Sequence, residues 1–189
     1  MLDIDFIKKT TLTTPHSSGG SNFKTHILTK TSNGYSFKAS IGAILFASVF
    51  SSTGFAIFAF GVYKIIDSGT FFMENIFLIL FGAIFLAAGI YLFYKFLSPR
   101  VFNKTSNNYY NGFKRNNIKL NRIVALQLIG ETIDGKNSSY KSFELNLVLD
   151  DASRVNVIDH GNLKKLIIDT EVLSTFLNVP IWHAESKNS

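Results

Sequence analysis

The sequence of 189 residues contains no cysteine. That excludes disulfides, thiolate catalysis and Cys-ligated metal sites. Charge is missing from two long stretches, Ile41–Tyr63 and Ile76–Tyr94. Neither therefore offers the buried ionisable group that transport and proton relay usually need. Acid is missing from a third stretch, Lys95–Arg122, which holds seven basic residues. The histidines His16, His26, His160 and His183 form no i,i+4 helical pair and no HExxH motif, so neither a metal site nor a cofactor is expected. No GK[ST] follows Gly19–Gly20, which argues against a phosphate loop.

What is present is largely apolar. Hydrophobic residues make up 47% of the chain, with 19 Phe, so membrane segments are sought before folds. The first uncharged run, 23 residues over 41–63, makes a helix of roughly 34 Å against a hydrocarbon core of about 30 Å. The second, 19 residues over 76–94, can be lengthened by Phe71–Met73. Transmembrane helices are predicted at 41–63 and 71–95, joined by a connector at 64–70. The first run begins too late and is too long for a signal peptide. So short a connector makes a helical hairpin and puts both chain ends on one side. Lys8, Lys9, Lys24, Lys30 and Lys38 precede the spans and the basic stretch follows them, which predicts that side as cytoplasmic. Tyr63, Tyr91 and Tyr94 sit near span ends, where amphipathic rings prefer the interface. Small residues recur every four positions at Ala43, Ala47 and Ser51, and at Ala83 and Ala87. These faces are expected to pack within the hairpin, or to serve a homo-oligomer.

Outside the spans the pattern is β-rich. In "SFELNLVLD", Phe143, Leu145, Leu147 and Leu149 alternate with Glu144, Asn146 and Val148, the period of a half-buried strand. "RVNVID" follows a turn at Asp150–Ser153 and predicts a hairpin partner. "NRIVALQLIGETI" reads as a longer strand, and "PRVFN" and "YYNGF" as shorter ones. The arm 1–40 contains Asn33–Gly34 between β-rich runs, a hairpin signal, preceded by the loop "TTPHSSGGSN". Leu163, Leu166, Ile167, Leu173, Phe176 and Leu177 form a helical stripe, ended by Asn178 and Pro180. The stretch "VIDHGNLKKL" places an Asp beside a His, but no second carboxylate or nucleophile stands at a diagnostic spacing. Asp159 or Asn162 is expected to cap the helix, with Gly161 easing the turn. The expected class is an α+β membrane protein. Its soluble part, 99–183 with a tail at 184–189, is expected to be a small pleckstrin-homology-like barrel or sheet closed by a C-terminal helix. Two strands from the N-terminal arm are expected to join five C-terminal ones.

"PRVFNK", "NRIVALQLIGE", "YKSFELNLVLDDASRVNVIDHGN" and "LSTFLNVPIWH" carry a resemblance over much of 99–183. The chain resembles bacterial two-span membrane proteins with a small cytoplasmic pleckstrin-homology-like domain. In layout it is more distantly similar to the photosystem I assembly factor family, through two early spans, a β-rich domain and an ending of the type "FLNVP". The resemblance implies a fold and an inner-membrane location, with no reaction and no catalytic residues.

The expected function is that of a non-enzymatic membrane protein that tethers an interaction or assembly module. A membrane-anchored immunity protein that neutralises a toxin is the alternative. Lys95, Arg100, Lys104, Lys114, Arg115, Lys119 and Arg122 are candidates for facing an anionic inner leaflet, at about 1 kcal/mol per basic residue near the surface. Positive-inside topology accounts for them without a ligand, and a nucleic-acid partner is not expected. Residues 123–189 carry six basic and nine acidic groups, net −3, so the domain is expected to be polarised. Trp182, Lys164 and Lys165 are candidate contacts for a protein partner. The simpler reading packs Trp182 into the domain and leaves the lysines on a solvated face.

Overall fold

The computed structural model describes residues 3–16, 20–69, 72–112, 116–135 and 138–185. In chain order the elements are α1 (Ile4–Thr10), β1 (His26–Thr31), β2 (Gly34–Ala39), α2 (Ile41–Ser68), α3 (Met73–Leu97), β3 (Arg100–Asn103), β4 (Asn108–Asn111), β5 (Asn116–Lys119), a 3-10 turn (Leu120–Arg122), β6 (Ile123–Asp134), β7 (Ser139–Leu149), β8 (Arg154–His160), α4 (Leu163–Leu177) and β9 (Ile181–Glu185). They form two units. One is Ile41–Leu97; the other joins Met1–Ser40 to Ser98–Ser189.

The first unit is the pair α2 and α3. Both are long and apolar enough to cross a membrane. Their outward residues are large and apolar, with Phe55 62%, Phe77 65% and Ile84 66% exposed, a surface suited to lipid. The helices run antiparallel and meet on small residues. A Cβ added at Gly54 would lie 2.3 Å from Leu86 N, and one at Gly82 would lie 2.4 Å from Phe58 N. The buried positions recur every seven residues: Ala47, Gly54 and Gly61 on α2, and Asn75, Gly82, Gly89 and Phe96 on α3. A seven-residue repeat is the seam of a left-handed helix pair. Ala43 and Ala47 are fully buried, and Ser51 lies against Gly89. On α3 the four-residue ladder is not the contact. Ala83 is half-buried and Ala87 exposed, because Gly82 and Gly89 give a closer backbone approach than alanine.

The second unit is α+β with two sheets. One has the order β1-β2-β3-β4-β5, all antiparallel. The other has the order β8-β7-β6-β9, with β9 parallel to β6. Nine strands are present among the described residues where seven were expected; β5 and β9 are the additions. Among the described residues the sheets do not close into a barrel. The N-terminal hairpin does join the strands that follow the second span: Phe37 of β2 stands opposite Arg100 of β3. Its turn lies at Ser32–Asn33 and Gly34 begins β2. Gly34 has φ +149°, and a Cβ there would meet the Phe102 carbonyl at 2.1 Å, so only glycine fits.

The main core lies between the sheets and α4. Phe37, Phe102 and Tyr109 from one sheet meet Leu126, Leu145, Leu147 and Ile158 from the other, with Leu166 and Leu173 of α4. Asn162 is the helix cap: its Oδ1 accepts from Lys165 N at 2.9 Å. Asp159 is not, because its carboxylate accepts from Asn156 on the strand face. Asn178 ends α4 in the left-handed conformation, with φ 57°.

Candidate functional site

Alternation along β7 predicts one apolar and one solvated face. The structure buries both. Ser142, Glu144, Asn146 and Val148, on the face away from the main core, are 0% exposed. Their cover is the N-terminal segment that includes α1. Ile7 of α1 packs with Ala125, Val148 and Trp182. Beyond α1 the chain runs across the same face and bonds to it largely through main-chain groups. Gln127 Nε2 donates to Leu12 O at 3.0 Å. Arg154 Nη1 donates to Thr14 O at 2.7 Å. His16 N donates to Glu144 Oε2 at 2.8 Å, and Ser21 N to Ser142 Oγ at 2.9 Å. Residues 13–16 and 20–22 of the expected loop thus form an ordered strap; 17–19 lie outside the described residues.

Under the strap the polar side chains align in rows set by strand register. Gln127, Asn146 and Asn156 stand opposite one another on β6, β7 and β8. Asn156 Nδ2 donates to Asn146 Oδ1 at 3.3 Å and to Asp159 Oδ1 at 3.1 Å. Asn146 Nδ2 donates to Glu144 Oε2 at 3.1 Å. A buried carboxylate is costly without such hydrogen-bond donors. Glu131 lies on the same face. Burial raises its pKa, and the charges of Glu144 and Asp159 raise it further.

Asp159 and His160, adjacent in sequence, do different work. Asp159 joins the polar rows, while His160 is fully buried on the other side of β8. Asn162 N donates to His160 Nδ1 at 2.9 Å, so the neutral ring carries its proton on Nε2. That Nε2 makes no well-formed hydrogen bond among the described residues, although the His26 main chain lies beside the ring. Gly161 lets the strap pass close by: a Cβ there would lie 2.2 Å from the Asn22 carbonyl carbon, and Gly161 N donates to Phe23 O at 2.9 Å. The Asp-His-Gly stretch is a strand end and a crossing point, with its imidazole shut in the interior.

A polar cavity of about 350 Å³ opens where the outer edge of β8 faces the first sheet, between His16, Arg100, Asn111, Arg154 and Asn156, with Val155 and Val157. Arg100 and Asn111 stand opposite each other on β3 and β4. Arg100 Nε donates to Val157 O at 2.5 Å, and Asn111 Nδ2 to Asn156 O at 3.1 Å. They thereby satisfy carbonyls that an edge strand would otherwise leave unpaired. Arg100 also bonds Ser98 O at 2.8 Å and His26 Nε2 at 3.0 Å. Burial lowers the pKa of both arginines, opposed by Asp159 at Arg100 and by Glu144 at Arg154.

The other sequence candidates are dispersed. Lys95 and Lys119 are exposed. Lys104 stands over the Phe176 ring at 5.8 Å. Arg122 bonds Asp150 and Asp151, both at 2.8 Å. Lys114 and Arg115 lie outside the described residues. The basic stretch therefore combines exposed cations with two arginines engaged in the fold. Trp182 lies in β9, only 8% exposed, with Lys8 Nζ over its ring at 5.9 Å. Lys165 pairs with Asp169 at 2.9 Å, and Lys164 is exposed. Among the described residues no cluster of His, Asp and Glu has the arrangement of a metal site. No family model matches the chain, and no curated protein and no solved structure matches it.

Proposed function

We propose that this is a non-enzymatic integral membrane protein that tethers a binding module to the cytoplasmic face of a bacterial inner membrane. One observation carries the reading. The two span-length helices occupy the connection between β2 and β3, neighbouring antiparallel strands of one sheet. An insertion there ties the module to the helix pair by two chain passages. The lysines before α2 and the basic residues after α3 support a cytoplasmic module under the positive-inside rule. The two sheets with a closing helix support a pleckstrin-homology-like relationship, elaborated by β9 and the strap. The non-enzymatic reading draws on the placement of His160 in the core, away from Asp159. Lys95 and Lys119, being exposed, are the basic residues best suited to anionic headgroups.

Reporter fusions at each end, combined with membrane fractionation, test the topology. Both reporters should give cytoplasmic signals and the protein should sediment with membranes. A periplasmic signal from either end, or recovery in the soluble fraction, overturns the reading. Pull-down from solubilised membranes should recover a specific protein that is lost when the soluble unit is deleted.

A further inference from the structure

We propose that the cavity between β8 and the first sheet is a binding site for a phosphate group. The inference goes beyond tethering and holds whichever way the protein is oriented.

The cavity is built by elements that hold its walls in place. Arg100 and Asn111 are fixed from one side by bonds to β8 carbonyls, and His16 from another by its main-chain bond to Glu144. Arg154 is held at Nη1 by Thr14 O and by Gln127 Oε1 at 3.3 Å. Those are its only hydrogen bonds among the described residues, so the half-exposed side chain keeps Nε–H and the Nη2 hydrogens available to a ligand or to water. The His16 side chain likewise makes no hydrogen bond there. Guanidinium groups from two sheets and an imidazole thus meet around one cavity. Such groups approaching from different directions suit a tetrahedral oxyanion better than a planar carboxylate.

Among the described residues no acid lines the cavity, and the charges of Glu144 and Asp159 act on Arg154 and Arg100 from outside its lining. Glu144 is occupied by His16 N and Asn146, and Asp159 by Asn156; neither lines the cavity. Its volume, about 350 Å³, is at the small end for ligand pockets. It accommodates a phosphate with a small organic group attached. Two sources offer that chemistry: a soluble phosphate monoester or the headgroup of an anionic lipid.

The test uses the full chain in nanodiscs. In neutral phosphatidylcholine discs, inorganic phosphate and glycerol 3-phosphate are titrated while the proton–nitrogen NMR signal of Arg154 Nε–H is followed. A parallel sample contains phosphatidic acid in the disc. Saturable shifts with the soluble probes identify a soluble monoester; a shift only with phosphatidic acid identifies a headgroup. Arg154→Gln should weaken binding about tenfold or more, the scale of one charge-assisted bond. His16→Gln, which keeps the strap's main-chain bond, should weaken it less. Lys30→Gln, at a separate surface groove, should leave it unchanged. If Arg154→Gln perturbs folding, the His16→Gln and Lys30→Gln comparison carries the test. No saturable response in either lipid arm overturns the proposal. Equal weakening by His16→Gln and Lys30→Gln also overturns it, by showing diffuse charge attraction.

Discussion

The hydroxyl of Tyr109 lies inside the main core and makes no hydrogen bond among the described residues. Burial raises its pKa, and its desolvation is uncompensated. Tyr109→Phe keeps the ring against Phe102, centroids 4.6 Å apart. It should leave stability unchanged or raise it by up to about 1 kcal/mol, measured by thermal unfolding in detergent. His160 gives a pH dependence of definite sign. Burial lowers its pKa in the folded state, while the unfolded chain titrates near about 6.5. Below that pH the unfolded chain binds the proton more readily, so stability falls as pH falls. Unfolding followed between neutral pH and about pH 5 should show the loss, and His160→Gln should flatten that part of the profile. Asp151 acts further down. Its bonds to Ser153 and Arg122 hold its pKa at about 2. Its contribution is present above the ordinary carboxylate range and fades as pH drops toward that value.

Within the helix pair, contact depends on glycine. Gly82→Leu places side-chain atoms where the Phe58 backbone already lies, and should cost about 1–3 kcal/mol as an overpacking change. Ala87→Leu points to an exposed surface and should be tolerated. Cysteine cross-linking between α2 and α3 distinguishes them: it should drop in the first variant and persist in the second. In the α+β unit, Ile7 holds α1 on the cluster around Trp182. Ile7→Asp should cost about 3 kcal/mol and shift tryptophan emission to the red. Trp182 is the single tryptophan, so the signal has one source. The spans, the N-terminal hairpin, β6 to β8 and α4 were legible because each carries its own period or turn signal. β5 (Asn116–Lys119) has a single apolar residue, β9 lies beyond the helix stop at Asn178 and Pro180, and α1 is barely two turns. The strap was hidden for a different reason. It covers Glu144, Gln127 and Arg154 through main-chain groups of Leu12, Thr14 and His16, and main-chain bonds leave no mark on residue type. The phosphate cavity was hidden too. Arg100 read as positive-inside charge, and only the pairing of β3 with β4 and the edge of β8 bring it to Arg154.

The α+β unit is discontinuous in sequence. It needs Met1–Ser40 as much as Ser98–Ser189, since the first segment supplies α1, the strap, β1 and β2. A fragment of 98–189 should therefore fail to fold, having lost a neighbour strand for β3 and the cover over β7. Replacing 41–97 by a linker of about four to six residues, an ordinary length between adjacent strands, should give a cooperatively folding protein without detergent. Circular dichroism melts of the two molecules provide the check. If the short fragment melts as sharply as the linked one, the N-terminal segment is dispensable and the division into units is wrong. The same break in the chain sets a timetable during translation. The ribosome delivers the opening hairpin first, then both greasy helices, and only afterwards the strand that pairs with β2. Until that strand emerges, the nascent protein holds an unfinished sheet with an open edge, a hazard for aggregation. The two apolar helices thus leave the ribosome before β2 can gain its second neighbour.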